Sequence, residues 1–386
     1  MPEEEAQPEL IVYPPERIDE SGEVLPGGRA DSPDLRSRFE QLPLRQRRTW
    51  FAAAAALVLI FAFGILNHVH PRSTAKRPAV AATSTPNAQQ RVPLPGRRIP
   101  VGSGTPLDLA TGRLLHYVLT RTPPRLIALD GAGTTLVNSV GVDEGSVLVA
   151  SDDFTDQLCI VSTDGVASVV HFYDPLFLTH QRQVRLPTVV TAAATLRGDL
   201  WLATAGGLYR IPAGSKSAKR VPGIDGAVGA VAADPADDRL LVSVGDEPAT
   251  VIAVNSDTSV IEQRASVALG KVSIAATVHG LWVAGYGAPE EPKLIQLDPE
   301  SLAVVGTSPL GLEVGPGAVV WPGRGVVWVR SGGSEDLACM SSTNGAVQAR
   351  WHDITGPVVS GNSVALSVSL GYVVALQIIG TPCYSG

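Results

Sequence analysis

Three cysteines, five histidines and nine clustered carboxylates are the side chains of the long C-terminal part whose types could carry chemistry. Cys159, Cys339 and Cys383 show no C-x-x-C spacing, and no Cys/His set has zinc-ligand spacing, so no metal site is expected from motifs. His116, His171, His180, His279 and His352 form no H-x-x-x-H or H-E-x-x-H pair. A histidine metal site would have to be assembled in space from separate segments. The carboxylates fall in four clusters between apolar runs: Asp152, Asp153 and Asp156; Asp246 and Glu247; Glu290 and Glu291; Glu335 and Asp336. Carboxylates gathered on one rim would create a negative potential suited to a cationic partner or Ca²⁺. Ordinary solvated loops are the simpler reading of the same residues. No G-x-S-x-G, P-loop or dinucleotide fingerprint stands in its strand-to-helix context, so no catalytic residue and no cofactor is expected.

The elements that must position these groups are short and repeated. Leu114–Thr120, Val147–Ser151, Leu200–Thr204, Leu240–Val244, Leu281–Gly285, Val326–Arg330 and Val364–Val368 share one apolar strand character. Their starts average about 42 residues apart, and a second apolar strand follows each after a polar loop. Small-residue runs precede several of them, as in VVTAAAT (189–195) and AVGAVAA (227–233). A four-stranded sheet with two apolar faces needs neighbours on both sides, and a closed ring supplies them to every sheet. Residues 101–386 are therefore expected to form an all-β, seven-bladed propeller of four-stranded blades. The last repeat supplies three strands, so the segment around Arg97–Val101 is expected to cover its open edge. On this register Cys339 and Cys383 lie in neighbouring blades, which makes a disulfide between them the favoured pairing. Three free thiols are the alternative.

The repeats carry a resemblance. GDLWLATAGGLYRIP (198–212) resembles repeats of bacterial two-component-regulator propellers. HGLWVAGYG (279–287) with KLIQLDPESLAVVG (293–306) is similar to repeats of YVTN-type and streptogramin-lyase-like propellers. The resemblance implies a seven-bladed ring but no single function. Streptogramin lyases use a metal-assisted His and Glu arrangement, and no matching set stands here, so that activity is not carried over.

Ahead of the repeats, Trp50–Asn67 runs eighteen residues without a charge. As a helix it would span roughly 27 Å, close to a hydrocarbon core of about 30 Å. A transmembrane helix is expected over 49–68, with 50–67 in the lipid bilayer. Arg36, Arg38, Arg45, Arg47 and Arg48 flank it on one side, Arg72, Lys76 and Arg77 on the other. The positive-inside rule then puts the N-terminus in the cytoplasm and the C-terminal domain outside the plasma membrane. Residues 1–48, acidic and without apolar periodicity, are expected to be a disordered cytoplasmic tail. Residues 69–100 read as a linker rich in Pro, Ala and Ser.

Composition sets the remaining bounds. Of 386 residues 45% are hydrophobic and 17% charged, and the net charge is -7. There is no global basic field for nucleic acid, and three cysteines are too few for a disulfide scaffold. No Asn-x-Ser/Thr sequon occurs, which suits a bacterial envelope. The expected role is a non-catalytic binding or scaffolding module whose propeller face takes a protein or small ligand. The alternatives are a propeller enzyme, a lyase or hydrolase acting at the central channel, and a single-pass receptor signalling through its tail.

Overall fold

In the computed structural model the described residues are 97–378 and Cys383, leaving aside 103, 153–154, 156, 288–290, 310–317, 324, 331–335, 361–363 and 370. The expected tail and membrane helix, and the linker up to residue 96, lie outside them. Among the described residues every regular element is a strand, and no helix is long and apolar enough to cross a membrane.

The first blade holds β2 (Pro106–Thr111), β3 (Leu115–Arg121), β4 (Pro124–Asp130) and β5 (Leu136–Gly141). They follow β1 (Arg97–Ile99), which belongs to another blade. Blade 2 holds β6 (Ser146–Asp152), β7 (Gln157–Thr163), β8 (Ser168–Tyr173) and β9 (His180–Leu186). Blade 3 holds β10 (Val190–Leu196), β11 (Asp199–Thr204), β12 (Gly207–Ile211) and β13 (Lys219–Arg220). Blade 4 holds β14 (Val228–Asp234), β15 (Arg239–Val244), β16 (Ala249–Asn255) and β17 (Ile261–Val267). Blade 5 holds β18 (Gly270–Thr277), β19 (Gly280–Gly287), β20 (Glu291–Leu297) and β21 (Val304–Pro309). Blade 6 holds β22 (Val319–Pro322), β23 (Val326–Arg330), β24 (Leu337–Ser341) and β25 (Val347–Trp351). Blade 7 holds β26 (Val358–Ser360), β27 (Val364–Ser369) and β28 (Tyr372–Ile378), completed on its outer edge by β1.

Each blade is an antiparallel meander, and the innermost strands neighbour one another in a closed cycle from β2 through β26 and back. The fold is an all-β, seven-bladed propeller of four-stranded blades. Closure comes from β1 pairing antiparallel with β28, Arg97 opposite Ala375 and Ile99 opposite Val373. The propeller thus begins at residue 97, inside the segment read as linker.

Packing explains the strand types. Second strands such as β11 and β15 are buried along almost their whole length, because a neighbouring blade covers each face. Outermost strands such as β17 alternate half-buried and exposed residues, since one face meets water. Seven apolar clusters result, one in every seam between blades. Innermost strands of blades 1 to 5 carry a bulge at the same end, as between Pro106 and Asp108 and between Val190 and Ala192. Such bulges bend a strand where the ring curves most tightly.

A second repeated device closes the outer hairpins. Asp174, Asn255 and Asp298 each end or follow a third strand and accept hydrogen bonds from backbone N–H groups two and three residues on. In blades 2 and 5 a leucine four residues later adopts positive φ, Leu178 at 54° and Leu302 at 55°. That conformation costs a leucine roughly 1–2 kcal/mol. Both side chains are fully buried in a seam, and their burial offsets the strain.

The structure corrects one register. Six of the seven expected strands are second strands, but Val147–Ser151 lies in β6, the innermost strand of blade 2. The true counterpart is β7. Leu158 in β7 lies 42 residues before Leu200 in β11, which restores the regular period. The sequence of β6 has one alanine where β10 and β14 have three each, so its own composition hid its place.

Candidate functional site

In an antiparallel meander the turns alternate between two faces of the ring. Turns joining first to second and third to fourth strands open on one, here the 1–2 face. Turns joining second to third strands, with the links between blades, open on the opposite 2–3 face. This alternation divides the expected acidic rim. Asp152 ends β6 at the β6–β7 turn, on the 1–2 face. Asp246 and Glu247 belong to the β15–β16 turn on the 2–3 face, and Glu291 and Asp336 stand at the corresponding turns of blades 5 and 6. The four clusters form no single ring.

Asp152 is moreover no free rim charge. It is 3% exposed and accepts hydrogen bonds from the backbone N–H of Gly198 in blade 3 and of Thr155 in its own turn. It staples two blades together. Gly198 has φ +85°, and a Cβ there would stand 2.6 Å from the Thr155 side chain. Only a glycine brings this N–H to the carboxylate without strain. Asp153 and Asp156 lie outside the described residues.

The three remaining clusters occupy consecutive blades. Asp246 and Glu247 are exposed, and the Asp246 carbonyl accepts a hydrogen bond from the Lys271 N–H at 3.1 Å, fixing the turn against blade 5. Glu291 opens β20 opposite Gly287. Asp336 stands before β24, its half-buried carboxylate against Nδ1 of His352. Glu290 and Glu335 lie outside the described residues. Of the arginines that end second strands on the same face, Arg121 is exposed, whereas Arg330 stacks over Trp321 and donates to the Gly356 carbonyl.

The chain reaches this ring from the other side. β28 runs away from the 2–3 face after the turn at Gly371, and β1 is antiparallel to it. Residue 97 therefore enters from the 1–2 face.

Sequence reasoning missed one carboxyl altogether. Asp108 follows the bulge of β2 on the wall of the central channel, where its Oδ2 accepts the Val149 N–H of blade 2 at 2.8 Å. Burial pushes its pKa up to about 7, against the lowering effect of that hydrogen bond. Neighbouring innermost strands are stitched in the same manner. Thr195 donates to the Ser151 carbonyl at 2.8 Å, and the Ser273 hydroxyl accepts the Val320 N–H at 3.1 Å. His116 is likewise spent on structure, held between the Thr111 hydroxyl and the Gly131 carbonyl. Burial lowers its pKa.

Cys339 and Cys383 are joined by a disulfide, their Cα atoms 6.1 Å apart. The bond lies in the seam between blades 6 and 7 and ties the chain's C-terminal end to the ring. Cys159 is a buried free thiol on β7, a second strand, and so is not the structural equivalent of Cys339 on third strand β24. Burial pushes its pKa up to about 12, which removes it from thiolate chemistry.

No family model matches this sequence, and no curated protein matches it. Among solved structures 1360 chains match. One is similar to this chain with a TM-score of 0.58 at 9% identity, covering 72% of this chain and 96% of the other, and is titled Kuenenia stuttgartiensis hydrazine synthase. At that identity the likeness concerns the fold alone, and a fold this widely shared assigns no chemistry.

Proposed function

We propose that this chain is a membrane-anchored binding module of the bacterial cell envelope. In this reading residues 50–67 span the plasma membrane, the tail stays in the cytoplasm, and the propeller stands outside. The single observation that carries it is the opposition of the two faces. The chain enters the ring on the 1–2 face, and the exposed Asp246 and Glu247 stand on the 2–3 face. A ring tethered by its N-terminus leaves that second face to a partner. The buried Cys339–Cys383 disulfide supports an oxidising location, since such bonds persist outside the cytoplasm.

The binding surface is narrower than a rim. It is an arc of three adjacent blades, 4 to 6, and its charge favours a cationic protein or small ligand over nucleic acid. A non-catalytic role draws support from how the titratable groups are used. Asp108, His116 and Asp152 are all committed to hydrogen bonds that hold strands or blades together.

The test is crosslinked capture of partners by the full-length anchored protein in intact cells. Capture that is lost when Asp246 and Glu247 are both replaced by lysine supports the reading. Capture indifferent to those charges contradicts it.

A further inference from the structure

Two of the histidines that sequence spacing leaves scattered meet in blade 2. His171 on β8 and His180 at the start of β9 bring Nδ1 of the first to 3.4 Å from Nε2 of the second. Their ring centroids are 5.5 Å apart and the rings are inclined at 61°. Tyr173 meets the other side of His180 edge-on, at 5.5 Å and 85°. On the far nitrogen of His171, Asp143 Oδ2 lies 3.1 Å from Nε2. That contact is electrostatic and not an aligned hydrogen bond. We propose that His171 and His180 form a zinc-binding pair on the outer part of blade 2, oriented by Asp143.

The geometry selects the metal class. Zinc–imidazole bonds are about 2.0–2.1 Å, and two of them bridging a 3.4 Å gap enclose an angle of about 112°. That is close to the tetrahedral value. A square or octahedral ion needs about 90°, which would require the nitrogens to close to roughly 2.9 Å. The neighbouring carboxylate fits as well. A carboxylate beside the remote nitrogen is the usual neighbour of a metal-bound histidine, and here the Asp143 charge favours a cation on the ring through space. His180 is exposed, so the two remaining tetrahedral positions face solvent. The site therefore has open positions for water or for a donor group from a bound partner. No group of three or more protein donors converges on a metal among the described residues, and this two-ligand pair is a different kind of site.

The test is titration of Zn²⁺ alone into the tag-free, detergent-solubilised full chain by calorimetry. The chain carries His68→Ala and His70→Ala, which remove the close pair of histidines outside the propeller. One equivalent is expected to bind. His180→Ala should weaken binding at least tenfold, and His171→Ala likewise. Asp143→Asn should weaken it about tenfold, as loss of a carboxylate beside a metal-bound histidine does. Co²⁺ in place of Zn²⁺ should give the intense visible bands of a tetrahedral centre, absent from the His171→Ala/His180→Ala double variant. If His171→Ala does not fold, the exposed His180→Ala decides alone, with its melting curve as the control. No binding, or equal affinity in the His180→Ala variant, overturns the proposal.

Discussion

Ile99 faces Val373 across the outer strand pair of the seventh blade, so the first described strand completes the last sheet. Ile99 is buried in the cluster between blades 7 and 1, where it also meets the seam that any open ring would expose. Ile99→Ala removes that apolar contact and is expected to cost about 2–4 kcal/mol. A chain begun at residue 101 should lose more, and should aggregate through the bared edge of β28. Thermal and urea unfolding measure the first, and light scattering the second. Parent-like stability of both would show that closure does not depend on β1.

The other end of blade 7 is held covalently. Cys339 and Cys383 are 44 residues apart in sequence, and cross-links over such loops typically stabilise by about 2–4 kcal/mol. Cys383→Ser should lower stability by that amount, and dithiothreitol should produce the same loss in the parent but none in the variant. Equal sensitivity of both proteins to reductant would mean that the bond adds nothing to the ring.

Asp108 makes stability depend on pH in a stated direction. Its folded pKa, about 7, lies above the ordinary carboxylate value, so the folded state holds its proton more tightly than the unfolded chain does. The group's contribution is complete below about pH 4 and is lost as pH rises through 7. Asp108→Asn keeps an acceptor for the Val149 N–H and has no proton to release. The melting temperature of the variant should therefore gain on the parent between pH 4.5 and 7.5. A constant difference across that range contradicts the assignment.

The divided carboxylates predict divided phenotypes. Asp152→Ala leaves the buried Gly198 N–H without its acceptor and should cost about 1–3 kcal/mol while partner capture is unchanged. Asp246→Lys with Glu247→Lys should leave stability within about 0.5 kcal/mol and reduce capture, more so at low ionic strength. The reverse pattern would restore Asp152 to the binding surface.

Repetition made the ring legible, and local composition set the limit. Runs such as LWLAT and LLVSV are apolar at four positions of five because both faces are covered, and that pattern identifies a second strand in six of seven blades. The three-strand remainder after Pro357 pointed to Arg97–Val101 as the missing edge, and β1 fills it. In blade 2 the innermost strand SVLVASD carries larger residues than VTAAATL, and so resembles a second strand. A shift of one strand moves a turn to the opposite face of the ring, and this separates Asp152 from Asp246. Asp108 left no motif, because its environment comes from a bulge and a neighbouring blade. The pairing of His171 with His180 depends on a bulge between Phe172 and Tyr173, which strand periodicity does not display.

The most direct test of the account is where the two ends of the chain lie. Full-length protein carrying different epitopes at Met1 and Gly386 is expressed in a bacterial host, which is converted to spheroplasts and treated with protease. The account predicts membrane fractionation, loss of the Gly386 epitope and protection of the Met1 epitope until the membrane is broken. Protection of the Gly386 epitope in intact spheroplasts, or recovery of the protein in the soluble fraction, would contradict it.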